Sequence, residues 1–145
     1  MTSPSPGAWR LWLFPTTPRD FPGRRPLRIA LRALHTLAGG VLLGGHIFAA
    51  GRADLLPWLL LTACSGALIL ATDLHASFAC LLEVRGLLVI TKIALVLAVA
   101  PLWPARIWLL ATVIILGVAG SHASGRVRHR LLFSPGPITV DRRKG

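Results

Sequence analysis

The sequence predicts an all-α integral membrane protein, an up-and-down bundle of four transmembrane helices with both termini in the cytoplasm. Three observations lead to this prediction. Hydrophobic residues make up 54% of the 145 positions. They are concentrated in four runs whose lengths approach the thickness of the hydrocarbon layer. The 16 lysines and arginines stand mostly outside these runs, and soluble domains rarely combine so apolar a composition with a net charge of +11.

The four runs set the predicted domain boundaries. We expect spans at about 33–50, 55–72, 86–103 and 105–120, within a transmembrane domain of residues 27–123. Residues 1–26 hold six of the eleven prolines, which exclude a long helix. They are interpreted as a basic leader that lies at the membrane interface or contacts a partner protein. Residues 124–145 are predicted to form a basic cytoplasmic tail.

The placement of basic residues predicts the orientation. Six of them precede the first span and six follow the last, whereas Arg52 and Arg106 fall on the opposite side. Because cytoplasmic loops carry the excess of lysine and arginine, both termini are predicted to face the cytoplasm at the plasma (inner) membrane. Trp58, Trp103 and Trp108 then share the outer surface as an interfacial belt. The expected partners are the lipid bilayer and other membrane subunits, reached through leader and tail. Nucleic acid is not expected, since no soluble binding domain is left to hold it.

Three histidines are predicted at one depth, the cytoplasmic ends of the first, second and fourth spans: His35, His75 and His122. Imidazole ligates haem iron, copper and zinc, and paired histidines on facing helices can clamp a b-type haem. We therefore predict a haem between His35 and either His75 or His122. The predicted ligands of its propionates are three nearby arginines: Arg32, Arg85 and Arg126. The alternative is that these are ordinary interfacial histidines without a ligand.

Two polar residues lie deeper in the apolar runs. His46 shares one helical face with His35 and is a further candidate metal ligand. The alternative for His46 is a hydrogen bond between helices. Lys92 is the charge that lies well inside a span, and we interpret it as snorkelling to the inner surface or as paired with Asp73 or Glu83.

Short motifs in the first and third spans are similar to those of a known family. Leu34 begins LHTLAGGVLLGG, and Arg85 begins RGLL, followed by Lys92. The motifs resemble the copper resistance protein D family of four-helix membrane domains and, more loosely, small membrane b-type cytochrome anchors. The resemblance implies a histidine-based copper or haem site, with His35 the position best carried over. The chain has no methionine beyond Met1, so it lacks the thioether ligands that suit cuprous ion in transport.

The sequence contains no catalytic constellation of its own. The five acids are scattered, and no nucleophile stands with a base and an orienting group. Cys64 and Cys80 are interpreted as small apolar side chains. We therefore predict a small inner-membrane subunit or anchor of a larger membrane complex, with electron transfer as its function and b-type haem as its cofactor. Copper handling is the first alternative, and a cofactor-free structural subunit is the second.

Overall fold

The computed structural model describes residues 7–15 and 17–122, which form an all-α structure. The helices are α1 (Ala8–Leu13), α2 (Arg24–Ile47), α3 (Arg52–Ala76), α4 (Val84–Ala98) and α5 (Arg106–His122), with two 3₁₀ helices, η1 (Phe78–Leu81) and η2 (Trp103–Ala105). The predicted tail, including Arg126, lies outside the described residues.

Three stretches within the described residues are long and apolar enough to cross a membrane: Arg24–Ile47, Arg52–Ala76 and Trp103–His122. They match the first, second and fourth predicted spans and indicate a multi-pass membrane protein. The predicted third span is shorter than expected, because α4 has 15 residues and is therefore about 22 Å long. The chain turns at residues 99–102, where Pro101 cannot continue a helix.

The first long helix starts earlier than the hydrophobic pattern predicts. It begins at Arg24 rather than near residue 33, and Pro26 is its third residue. Proline is tolerated there because the first turn of a helix has no intrahelical acceptor for its amide. The charged first turns are held by α3, where Asp73 Oδ1 lies 2.9 Å from Arg28 Nη2 and 3.8 Å from Arg24 Nη2.

Helix α2 lies at the centre of the packing. It contacts α3 along its length and also contacts α5, which in turn packs on α4. Helices α3 and α4 are joined by η1, which contacts both of them. We call the end where α2 begins and α3 ends the leader end, and the end where α2 stops the far end.

The protein interior is thin. Among the described residues, the buried hydrophobic side chains are Leu31, Ala38, Leu42, Ala76, Ala79, Cys80 and Leu110. Many large apolar side chains are exposed, which is the normal condition of a helix that faces lipid tails. Apolar burial between helices therefore contributes little to the stability of the fold. Polar contacts contribute more to the way the helices pack against each other.

The described part of the leader folds back on the leader end. The amide of Arg19 donates to the carbonyl of Ala76 at 3.0 Å, and its guanidinium donates to the carbonyl of His75 at 3.4 Å. The ring of Trp12 lies 6.1 Å from that of Phe78 in η1. The leader thus satisfies the last carbonyls of α3, which have no intrahelical partners.

Candidate functional site: a polar cluster around His35

The side chain of His35 lies between α2 and α3. Its Nδ1 is 2.9 Å from the carbonyl oxygen of Thr62 and 3.1 Å from Ser65 Oγ. The carbonyl can only accept, so Nδ1 carries the proton and donates it to Thr62. In the neutral ring Nε2 is then an acceptor. No described residue forms a hydrogen bond with Nε2.

The ring of His35 packs on a surface of α3 formed by Thr62, Ser65 and Gly66, which we call its seat. Thr62, Ser65 and Gly66 share one face because they are three and four residues apart. The Ser65 hydroxyl is buried and donates to the carbonyl of Leu61 at 2.6 Å. A methyl group at Gly66 would lie 3.0 Å from Cε1 of His35, so the imidazole packs directly on the α3 backbone. Sequence reasoning missed this seat, although the Thr-x-x-Ser-Gly spacing was a signal for it.

One basic group lies near the imidazole, and a second lies near the first. Lys92 of α4 is close enough to interact electrostatically with His35, and it interacts in the same way with Arg32 of α2. Lys92 is half-buried and Arg32 is exposed. The predicted pairing of Lys92 with an acid is wrong, because none of the ion pairs among the described residues includes Lys92. The cluster therefore carries positive charge within an apolar segment.

The two acids proposed as partners of Lys92 belong to other contacts. Asp73 faces Arg24 and Arg28. Glu83 is fully buried, and its Oε2 lies 2.6 Å from Nε of Arg85. Arg85, a predicted propionate ligand, is thus paired in the first turn of α4 with Glu83, the residue that precedes this helix.

His75, one of the predicted partner ligands, lies apart from His35. His75 is ten residues beyond Ser65 on α3, about 15 Å along the helix axis. It is exposed, and its ring meets the edge of Phe21 at 5.8 Å. His122 is the exposed last residue of α5. The structure does not bring His35 and His75 to one depth, because α2 starts well before the apolar run and His35 lies three turns inside it.

His46 stands at the far end, where its ring meets the edge of Trp103 at 5.7 Å. The interhelical hydrogen bond expected for His46 is therefore replaced, within the described residues, by an aromatic contact. No group of three or more His, Cys, Asp or Glu side chains in this part of the chain could hold a metal ion. A copper or zinc site, which needs several such ligands, has no donor set here.

The arrangement around His35 is chemically suited to a single axial bond. An imidazole whose Nδ1 is fixed by a carbonyl presents Nε2 in a defined direction, as metal-ligating histidines do. Gly39 lies on the next turn of α2, and a side chain there would meet nothing within 4 Å. The fixed imidazole and the basic side chains near it fit a haem, which would be held by one or two imidazole nitrogens and by basic groups for its propionates.

Comparison of the chain with models of known families, with curated proteins and with solved structures finds no match. The function is therefore inferred from the residues around His35 themselves.

Proposed function

We propose that this chain is a four-span integral subunit or anchor of a larger electron-transfer complex in the plasma (inner) membrane, and that it holds a b-type haem through His35. The observation that carries the proposal is the fixed imidazole, with Nδ1 bonded to Thr62 and Nε2 without a hydrogen bond to the described residues.

The fourth span in this proposal is α4 together with the turn that follows it. The charged groups at the ends of α4, rather than its length, support a crossing: Arg85 precedes the apolar stretch and Arg106 follows it. With four crossings, the basic residues of the leader and those after residue 122 lie on the same side, and we assign that side to the cytoplasm.

Haem is preferred over copper because of the charges near His35. Lys92 and Arg32 would repel a bare copper ion, whereas they attract the two carboxylates of a haem. When bound, the haem supplies one-electron chemistry. The chain itself orients the axial imidazole through Thr62 and Ser65 and provides Arg32 and Lys92 for the propionates. His75 is about 15 Å away along α3, so a second protein ligand to the haem would have to come from elsewhere than His75.

A difference spectrum tests the proposal. The full chain is purified in detergent, and the dithionite-reduced spectrum is compared with the oxidised one. We expect Soret and α bands in the wild type, in His75→Ala and in His122→Ala, and their loss in His35→Ala. The two exposed histidines are matched controls, because each substitution removes one imidazole without touching the seat on α3.

A second candidate function, a cofactor-free structural subunit, is favoured by one observation. Gly40 and Gly44 of α2 are four residues apart, and side chains at these positions would meet nothing within 4 Å. Such a small-residue face allows another membrane helix to approach closely. A flat difference spectrum of the wild-type protein would reject the haem and leave this structural function.

A further inference from the structure

A second cluster of basic and aromatic side chains lies at the far end, away from His35. It joins two helices: His46 comes from the last turn of α2, and Arg106 begins α5. Trp103 stands between them, with the Arg106 guanidinium carbon 4.9 Å from its ring centre and the His46 ring edge-on at 5.7 Å. Arg106 is further fixed because its Nη1 donates to the Trp103 carbonyl at 3.2 Å.

The charge of Arg106 has no counter-charge in the described part of the chain. Its Nε is buried without a hydrogen-bond partner, and it takes part in none of the ion pairs among the described residues. Asp54, at the same end of the protein, pairs with no basic side chain there either. The ring nitrogens of His46 form no hydrogen bond with described residues. The terminal nitrogens of the Arg106 guanidinium and the ring of His46 thus remain available to donate to an anion.

The neighbouring aromatic residues indicate where this anion lies. Trp103 is 53% exposed, Trp108 is 78% exposed and Phe48 is 84% exposed, and all three are at the far end. Tryptophan is enriched at the level of lipid headgroups, where its amphipathic ring is partly solvated. The positive end of the α5 dipole is at the same level, and it adds to the attraction for negative charge.

We propose that Arg106, His46 and Trp103 form a binding site for the phosphate of an anionic phospholipid. The guanidinium donates to two phosphate oxygens, a geometry that arginine provides and lysine does not. The His46 imidazole donates to the same group, and the acyl chains lie against the exposed rings of Trp108 and Phe48. No acid in the cluster receives the ammonium group of a zwitterionic headgroup, so the site prefers a lipid with net negative charge.

Thermal unfolding in detergent tests this site on the full chain. Phosphatidylglycerol or phosphatidylcholine is titrated into the wild-type protein, Arg106→Gln, Arg106→Lys and the control Arg52→Gln. Arg52 is exposed, lies at the same end and forms no hydrogen bond or ion pair with the described residues. A ligand that binds the folded state raises Tm, and the rise grows with the ratio of ligand concentration to Kd. The shift is read within each variant, so a lower starting Tm does not disturb the comparison.

We expect phosphatidylglycerol to raise the Tm of the wild type and of Arg52→Gln, and phosphatidylcholine to raise it less. Arg106→Gln should need about tenfold more phosphatidylglycerol for the same shift, since it loses a charge-assisted hydrogen bond. Arg106→Lys should fall between the two. An equal shift in Arg106→Gln and wild type would overturn the site. A full shift with inorganic phosphate alone would overturn the lipid as the ligand.

Discussion

A close backbone approach between η1 and α4 is predicted to make Gly86 intolerant of even a methyl group. Gly86 is buried in the first turn of α4, directly against η1. A methyl group there would lie 2.5 Å from the carbonyl oxygens of Cys80 and Leu81 and 2.6 Å from Leu81 Cα. All three are backbone atoms, so no rotation of a flexible side chain relieves the overlap. The Gly86→Ala protein can fold only if η1 moves away from α4.

The expected cost follows from these overlaps. Non-bonded carbon atoms are normally about 3.5–4.0 Å apart, and carbon and carbonyl oxygen about 3.3–3.6 Å, so the methyl group is roughly 1 Å too close to three atoms at once. Overpacking of this kind costs about 3 kcal/mol at the upper end of its usual range. Alanine recovers about 1 kcal/mol through its higher helix propensity. Gly86→Ala should therefore lower the free energy of unfolding by about 2 kcal/mol.

Gly117→Ala in α5 is the matched control. It also replaces a helical glycine by alanine, but the new methyl group would meet nothing within 4 Å. Its helix propensity should leave the protein as stable as wild type or more stable by up to about 1 kcal/mol. Thermal unfolding of both variants in the same detergent, followed by circular dichroism, measures the difference. A Tm of Gly86→Ala equal to or above that of Gly117→Ala would refute the packing argument.

Three further substitutions test the leader end. Asp73→Asn removes the counter-charge of Arg28, and since the Asp73 side chain is 16% exposed we expect a loss of about 2 kcal/mol, below the cost for a fully buried pair. Ser77→Ala removes the side chain that accepts from the amide of Ala79 at 3.1 Å and should cost about 1 kcal/mol, as lost helix caps do. Both are measured by thermal unfolding. Arg19→Gln weakens the attachment of the leader to α3, so chymotrypsin should cleave the leader faster, as followed by mass spectrometry.

Each of these three substitutions has an exposed counterpart of the same chemistry. Asp54→Asn, Ser121→Ala and Arg25→Gln change exposed residues, where substitutions usually alter stability by less than about 0.5 kcal/mol. Losses of equal size in a substitution and its counterpart would mean that the contacts at the leader end do not contribute to stability. Cleavage at equal rates in Arg19→Gln and Arg25→Gln would contradict the role of Arg19 in holding the leader.

Hydropathy predicted the positions of the long helices but not their ends. An apolar run indicates which residues are kept away from water. It predicted that the first span starts at about residue 33. The helix begins at Arg24 because Asp73, distant in sequence, faces the charged first turns. The end of α4 at Ala98 has a local cause in the following turn with Pro101. Pro101 was visible in the sequence, but the residues around it are apolar, so hydropathy alone did not predict that the helix ends before it.

The candidate site was predicted in part for the same reason. His35 was identified from its position at the start of an apolar run, and it is the histidine that the structure places between helices. Its predicted partners His75 and His122 were chosen by assuming that apolar runs end at one depth. For His75 that assumption failed, because α2 and α3 both extend beyond their apolar runs at the leader end. The seat of His35 on α3 depends on the register between two helices, which hydropathy does not encode.

That register has a physical basis in the spacing of residues along α2. One face of the helix repeats at steps of three and four residues: Arg24, Arg28, Leu31, His35, Ala38, Leu42 and His46. The polar members of this face make contacts at three depths, to Asp73 at the leader end, to Thr62 in the middle and to Trp103 at the far end. Apolar side chains are equally stable against lipid or against another helix, so they allow sliding and rotation. A hydrogen bond or ion pair in the same surroundings is directional and costly to break. The polar residues on α2 therefore determine how it meets its neighbours, and the imidazole that could bind a haem is one of the groups that fix the helix.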